Sequence, residues 1–154
     1  MGTHGRVAIV TGASRELGAE MAAALARTGA AVVVAHHGEG ELAATVVERI
    51  RSDGGVAHPF EASLATVEAN RALVDFAVAE LGRVDVFVAN AGLTRWSPFL
   101  ETDEATWDEV VDLNLKGAYF GAQAATSPVT DDEKMIRPPG PCSTIRRAAA
   151  CAPK

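Results

Sequence analysis

The chain has 154 residues, of which 48% are hydrophobic and 22% are charged, and its formal net charge is −6. This length and composition predict one ordered globular domain, and the negative charge argues against nucleic acid or an anionic membrane as a partner. No apolar run is long enough to span a bilayer, and two cysteines make no disulfide framework, so we expect a reducing, cytoplasmic location.

The first predicted element is a buried strand over residues 7–10, where the apolar run is short and continuous. It ends at Thr11-Gly12, and an apolar helical pattern with Leu17 and Met21 follows. A strand, a glycine turn and a helix in this order are typical of the start of a nucleotide-binding βαβ unit. The turn exposes backbone N–H groups, and the helix N-terminus adds partial positive charge, so both favour a phosphate.

Strands and helices then alternate along the chain. Apolar runs predict further strands, at residues 30–35, 56–60 and 84–89. Apolar helical spacing predicts four helices, at about 15–28, between Gly40 and Asp53, and at about 65–81 and 104–125. Thr102 is the predicted cap of the last helix. Alternation at these lengths implies a parallel sheet that is covered on both faces.

The composition changes after residue 125. Residues 126–154 hold five of the seven prolines and both cysteines, Cys142 and Cys151, and five Lys or Arg against three Asp or Glu. We predict a nucleotide-binding domain over residues 1–125 and a divergent, Pro-rich tail over 126–154, solvated or loosely docked.

Three motifs, in this order, resemble those of the short-chain dehydrogenase/reductase family. The first is the glycine turn Thr11-Gly12-Ala13-Ser14-Arg15-Glu16-Leu17-Gly18, which resembles T-G-x-x-x-G-x-G. The second is the strand at 84–92 that ends in Ala89-Asn90-Ala91-Gly92, which resembles N-N-A-G. The third is the helical stretch 107–120, which resembles the helix that carries the family's catalytic asparagine, here Asn114.

The resemblance extends from about Gly5 to Ala125. It implies an α/β, Rossmann-type doubly wound parallel sheet with strand order 3-2-1-4, and a dinucleotide bound between the first and fourth strands. It also implies hydride transfer between a nicotinamide cofactor and a carbonyl or alcohol. The residues expected to contact the dinucleotide are Gly12, Ser14, Arg15, Leu17, Gly18, His36, Ser63, Leu64, Asn90, Ala91 and Gly92.

Two of these positions have alternative interpretations. Ser63 stands where the family usually has an aspartate near the adenine, and it is equally suited to cap the third helix. His36 and His37 are alternatively an ordinary polar end of the strand. Because neighbouring residues of an extended segment point in opposite directions, we predict no metal site there.

Glu16 stands at the position of the family's second glycine, beside the expected phosphates. Like charges about 5 Å apart repel by roughly 3 kcal/mol at an effective dielectric near 20. This corresponds to roughly a hundredfold in affinity if the carboxylate cannot turn away. The same acid also favours the helix dipole, so we expect weaker cofactor binding rather than loss of the site.

Cofactor choice depends on the end of the second strand. No acid stands at Ala35, His36 or His37 to hold a ribose 2′-OH, and Arg15 is suited to a 2′-phosphate unless it is an ordinary exposed cation. The pattern favours NADP(H) over NAD(H), although Glu39 and Glu41 oppose this preference.

The family's catalytic serine and Tyr-x-x-x-Lys motif are not found. The lysine of that motif lowers the tyrosine pKa for proton exchange. The only tyrosine here, Tyr119, is followed four residues later by Gln123, and it is expected to pack beside Phe120. Asn114 is the one remaining member of the catalytic tetrad, and in the family it positions a water in the proton relay.

Three interpretations remain open. The chain is a catalytically incompetent cofactor-binding portion, truncated or altered after about Ala125; a non-catalytic dinucleotide-binding module or regulatory partner; or a frameshifted fragment without function. An unpaired fourth strand and an apolar fourth helix predict homo-oligomerisation.

Overall fold

The computed structural model describes residues 5–126, so the predicted Pro-rich tail beyond Thr126, with its two cysteines, lies outside the described residues. The elements follow the predicted alternation of strands and helices. In chain order they are β1 (Val7–Thr11), α1 (Glu16–Arg27), β2 (Ala31–His36), α2 (Gly40–Ser52), β3 (Val56–Glu61), α3 (Val67–Leu81), β4 (Val86–Val88), α4 (Glu104–Val111) and α5 (Ala118–Thr126). A 3₁₀ turn (Phe99–Glu101) precedes α4, and a π-helical segment (Asp112–Gly117) joins α4 to α5.

The four strands form one parallel sheet in the order β3-β2-β1-β4. Ile9 of β1 lies opposite Val33 on one side and Phe87 on the other. All five residues of β1 are buried, as expected for a central strand covered by helices on both faces. The predicted doubly wound fold and strand order are therefore confirmed.

Two hydrophobic clusters hold the helices to the sheet. On one face, α1 and α2 pack against Val32 and Val34, and on the other, α3 packs against Ile9 and Val33. Burying each such aliphatic side chain stabilises the fold by about 1.5–3 kcal/mol. Leu42 of α2 is exposed, although its spacing from the buried Val46 and Ile50 predicts the same helix face.

The caps of two helices differ from the sequence-based expectation. Thr66 caps α3 by accepting a hydrogen bond from the Ala69 N–H at 3.2 Å, so the alternative role of Ser63 as this cap is wrong. Asp103, not Thr102, caps α4, since its Oδ1 accepts from the Thr106 N–H at 2.8 Å. A carboxylate suits this position because the helix dipole favours negative charge at the N-terminus.

The predicted single helix at 104–125 is interrupted by the π-helical segment. Gly117 ends that segment, and a Cβ there would lie 2.4 Å from the Leu64 carbonyl oxygen. Only glycine therefore permits this close packing of helix on loop. Such wide turns often occur at functional sites, and Asn114 lies inside this one. No helix within residues 5–126 is both long and apolar enough to traverse a bilayer.

Candidate functional site

The carboxyl ends of β1 and β4 border a cavity of about 410 Å³. Three segments line it: the glycine turn with the start of α1, the loop after β2, and the loop after β4 with one residue of the π-helical segment. The lining residues are Gly12, Ser14, Arg15, Glu16, Leu17, Gly18, His37, Glu39, Asn90, Ala91, Gly92, Leu93 and Leu113.

A second, larger cavity of about 630 Å³ lies at the amino ends of the strands, near Arg6, Arg27 and Asp53. Open parallel α/β sheets bind their ligands beyond the carboxyl ends of the strands, where the strand order reverses. That reversal lies between β1 and β4 in this chain. We therefore assign the candidate site to the smaller cavity.

Hydrogen bonds between Thr11 and Asn90 fix the two strand ends to each other. The buried Thr11 hydroxyl accepts from the N–H groups of Asn90 and Ala91, each at 2.9 Å, and donates to the Val88 carbonyl at 3.1 Å. The Asn90 side-chain amide donates to the carbonyls of Thr11 at 2.9 Å and Gly12 at 3.1 Å. The floor of the cavity is thus held by five hydrogen bonds that join Thr11 and Gly12 to the last residue of β4 and the two residues after it.

Two glycines bring the backbone close together at the turn. Gly12 has φ +62°, and a Cβ on it would lie 2.9 Å from the Ala91 Cα. A Cβ on Gly18 would lie 2.1 Å from the Gly12 carbonyl oxygen. Neither position has room for a side chain, so the first turn of α1 packs directly on the glycine turn. The backbone here is open to the close approach of a phosphate that this type of turn favours.

Glu16 combines a strained backbone with a negative charge at the edge of the cavity. Its φ is +48°, and it is the one non-glycine residue within 5–126 with a positive φ. The left-handed conformation costs an L-residue roughly 1–2 kcal/mol. Its exposed side chain borders the cavity, on the side where the helix N-terminus favours an anion. The backbone at this position has the conformation that suits the glycine expected from the family pattern.

Ser14 and Arg15 hold an acid of the same chain. The Glu39 carboxylate accepts a hydrogen bond from the Ser14 hydroxyl through one oxygen. Its other oxygen lies 2.7 Å from Nη1 of Arg15. The Ser14 residue is buried, whereas the Arg15 side chain is 63% exposed and the Glu39 side chain 27%. Arg15 is therefore an ion-paired cation at the edge of the cavity.

Asn114 holds the loop after β4 through its side-chain amide. Its Oδ1 accepts from the Leu93 N–H, and its Nδ2 donates to the Leu93 carbonyl, both at 2.8 Å. The same Oδ1 would lie 3.2 Å from a Cβ on Gly92. Asn114 thus fixes the position of the backbone at the cavity wall.

Three of the predicted contact residues lie outside the cavity lining. His36 is buried on the face of β2 that packs against α1 and α2, the same face as Val34. Its Nδ1 has no hydrogen-bond partner among the described residues. The next residue, His37, lines the cavity instead. Ser63 is exposed, and Leu64 is buried in the core beside α3. Their contacts with a dinucleotide remain predictions.

Tyr119 packs beside Phe120, as predicted, although most of its side chain is exposed. It is 62% exposed, and its ring packs edge-on against Phe120 at a centroid distance of 5.1 Å. Glu39 was noted in the sequence only as an opposing charge, and its contact with Ser14 and Arg15 was not predicted. Leu93 and Leu113 carry no local signal that would mark them as cavity residues.

Comparison with known proteins finds a family model, curated relatives and solved structures that resemble this chain. A family model described as short chain dehydrogenase matches residues 6–134. The chain is 40% identical to a 3-oxoacyl-(acyl-carrier-protein) reductase of Staphylococcus aureus over 119 residues, which is 77% of this chain and 48% of that protein.

Solved structures share the fold as well. A dehydrogenase/reductase of Sinorhizobium meliloti is 35% identical with a TM-score of 0.78, and the match covers 80% of this chain and 49% of that one. A short chain dehydrogenase of Burkholderia cenocepacia, solved in complex with NADP, is 33% identical with a TM-score of 0.77, covering 79% of this chain and 50% of that one. The chain spans about half the length of these relatives.

Proposed function

The chain belongs to the short-chain dehydrogenase family, and on this premise we propose that it binds a nicotinamide dinucleotide in the cavity between β1 and β4. The observation that carries the proposal is the joined pair of backbone segments, Gly12 to Gly18 and Asn90 to Gly92, that Thr11 and Asn90 hold together. The pyrophosphate would lie at the N-terminus of α1, where N–H groups and the helix dipole favour negative charge.

We propose NADP(H) as the preferred dinucleotide. Arg15 is the one cation that lines the described cavity, and no acid stands at His36 or His37, where a ribose 2′-OH would be held. The relative from Burkholderia cenocepacia, which was solved with NADP, supports this choice. The Glu39 carboxylate opposes it, since it already pairs with Arg15.

The reaction we propose for the family site is hydride transfer between the nicotinamide and a carbonyl or alcohol carbon. Within the 154 residues, Asn114 is positioned beside the cavity, but no tyrosine is followed by a lysine four residues later. Nothing identified in this sequence is suited to donate and accept the proton that must accompany the hydride. We therefore propose that the 154-residue chain binds cofactor without turnover, as a dinucleotide-binding module.

A second role, self-association, is favoured by exposed apolar side chains and by the edge strand β4. Four large apolar side chains in the chain segment that follows β4, Trp96, Phe99, Leu100 and Trp107, are each at least 63% exposed, and β4 forms an edge of the described sheet. Apolar surface of this kind and an unpaired strand edge favour association. We propose homo-oligomerisation through this region; light scattering across a hundredfold range of concentration tests it, and a constant monomer mass would contradict it.

Calorimetric titration with NADPH, NADP⁺ and NAD⁺ tests the binding proposal. Arg15→Gln should weaken NADP⁺ binding by about tenfold and leave NAD⁺ within about threefold, because it removes one phosphate contact. Arg27→Gln, at the opposite end of α1, makes the same charge change away from the cavity and should alter neither affinity. Absence of binding by any dinucleotide would refute the proposal.

An activity assay tests the absence of turnover. Purified chain and NADPH are incubated with small aldehydes and ketones, and the absorbance of the reduced nicotinamide is followed. We expect no loss of absorbance above that of a buffer control. Oxidation at ordinary enzymatic rates would show that a proton donor has been overlooked.

A further inference from the structure

We propose that Glu39 is an intramolecular competitor of the NADP(H) 2′-phosphate, and that it thereby sets the discrimination between NADP(H) and NAD(H). This inference rests on the proposed dinucleotide site. It concerns a residue that the family pattern does not mark, since Glu39 lies beyond the end of β2, immediately before α2.

Ser14 and Arg15 bind the Glu39 carboxylate as they would bind an anionic ligand. One carboxylate oxygen accepts from the Ser14 hydroxyl and the other pairs with Arg15, so both oxygens are engaged by different donors. A hydroxyl donor beside a guanidinium is also the kind of donor set that holds a phosphate oxygen. The carboxylate therefore occupies the donors that an incoming 2′-phosphate at this edge would need.

The way in which Glu39 is held allows a 2′-phosphate to replace its carboxylate at Ser14 and Arg15. Its carbonyl accepts from the Ala43 N–H at 3.0 Å, which fixes its backbone at the start of α2. Within residues 5–126, its side chain forms hydrogen bonds or ion pairs with Ser14 and Arg15 alone. A rotation about the side-chain bonds would therefore release both donors without moving the helix.

Charge makes the competition selective. A 2′-phosphate carries close to two negative charges at neutral pH, and it can engage Arg15 only when the Glu39 carboxylate leaves or tolerates a like charge. The 2′-hydroxyl of NAD(H) is neutral and makes no such demand. Neutralising Glu39 should therefore tighten NADP(H) binding and change NAD(H) binding little.

The experiment is calorimetric titration of NADP⁺ and NAD⁺ against the wild-type chain, Glu39→Gln and Glu41→Gln. Glu39→Gln should tighten NADP⁺ binding by about tenfold, and NAD⁺ should stay within about threefold. Glu41, which the sequence also predicted to oppose NADP(H), is an exposed residue of the first turn of α2 outside the cavity lining. Glu41→Gln removes the same charge there and should change neither affinity. In an Arg15→Gln background, the gain from Glu39→Gln should disappear, because the contested cation is gone.

The outcomes separate this inference from the proposed site. If both dinucleotides bind but Glu39→Gln leaves their ratio unchanged, competition by Glu39 is refuted and the site stands. If Glu39→Gln weakens NAD⁺ instead, the residue is an acceptor for the ribose, and the inference is again refuted. If no variant binds either dinucleotide, including Glu16→Gly, the proposed function itself fails and this inference fails with it.

Discussion

Replacing Glu16 by glycine tests two physical statements about the first turn of α1. A glutamate at φ +48° is strained by about 1–2 kcal/mol, and glycine adopts this conformation without that cost. Against this relief stand the poor helix propensity of glycine, up to about 1 kcal/mol, and the loss of an acid near the helix dipole, about 0.3–1 kcal/mol. The terms nearly cancel, so Glu16→Gly should change the free energy of unfolding by less than about 1 kcal/mol.

Glu68→Gly is the matched control. Glu68 is also an acid in the first turn of a helix, α3, but its φ is not positive. The same two costs act there without any relief of strain, so Glu68→Gly should lower the stability by about 1–2 kcal/mol. Urea unfolding of both variants measures the difference. Equal losses at positions 16 and 68 would refute the strain argument.

The charge at position 16 is tested separately through binding. Glu16 is exposed, so the effective dielectric between its carboxylate and a phosphate about 5 Å away lies between about 20 and 80. The repulsion is then about 1–3 kcal/mol, and removing it should tighten dinucleotide binding between about fivefold and a hundredfold. Glu16→Gln should give the gain in affinity and keep the strain. An unchanged dissociation constant for both variants would refute the repulsion.

Three further predictions concern packing, the loop and pH. Gly18→Ala should destabilise the chain by about 3 kcal/mol or more in urea unfolding, because the new Cβ would lie 2.1 Å from a backbone oxygen. Asn114→Ala removes both hydrogen bonds to Leu93, so exchange of the Leu93 amide hydrogen should accelerate by about tenfold. Hydrogen bonds from the Thr106 side chain and then its backbone N–H lower the pKa of Asp103. The stability that this cap contributes is therefore full above the unfolded pKa near 4 and is lost as the pH falls through the lower folded pKa. The Tm difference between wild type and Asp103→Ala should accordingly shrink in that acid range.

Each of these predictions has its control. Gly40→Ala places a Cβ whose nearest neighbour is 3.9 Å away, so it should be tolerated. Asn114→Asp keeps the acceptor for the Leu93 N–H and should slow its exchange relative to Asn114→Ala. Asp103→Asn keeps a capping side chain that does not titrate, and it should remove the acid-range change. A pH-independent difference between wild type and Asp103→Ala would contradict the assignment of the cap.

The chain order of the elements could be predicted from the sequence because it depends on local properties. A continuous apolar run such as 7–10 predicts a buried strand, and glycine at positions 12 and 18 predicts the turn. The boundaries were less well predicted. The cap of α4 was assigned one residue too early, because Thr102 and Asp103 are both good caps and only the backbone path distinguishes them.

The cavity residues were predicted where local sequence motifs mark them, and not where their position depends on the tertiary structure. Residues of the glycine turn and the Asn90-Ala91-Gly92 segment carry recognisable motifs, and they line the cavity as expected. The side on which His36 and His37 lie depends on where β2 ends, and the run of alanine and valine before them does not indicate that end. The hydrophobic spacing of residues 104–125 does not indicate the break between α4 and α5. Gly117, at this break, is required by a contact with Leu64, which lies far from it in the sequence.

By itself, the sequence determined alternating strands and helices around a parallel sheet, and a glycine turn at the end of the first strand, because both follow from hydrophobic patterning and backbone freedom along a short stretch of chain. The strand order β3-β2-β1-β4 was predicted only through the resemblance to the family. Only the tertiary structure decided that Glu39 pairs with Ser14 and Arg15, and that Asn114 holds Leu93. These pairs are separated by more than 20 positions in the sequence, and their contacts exist only after packing of the helices on the sheet has brought the loops together.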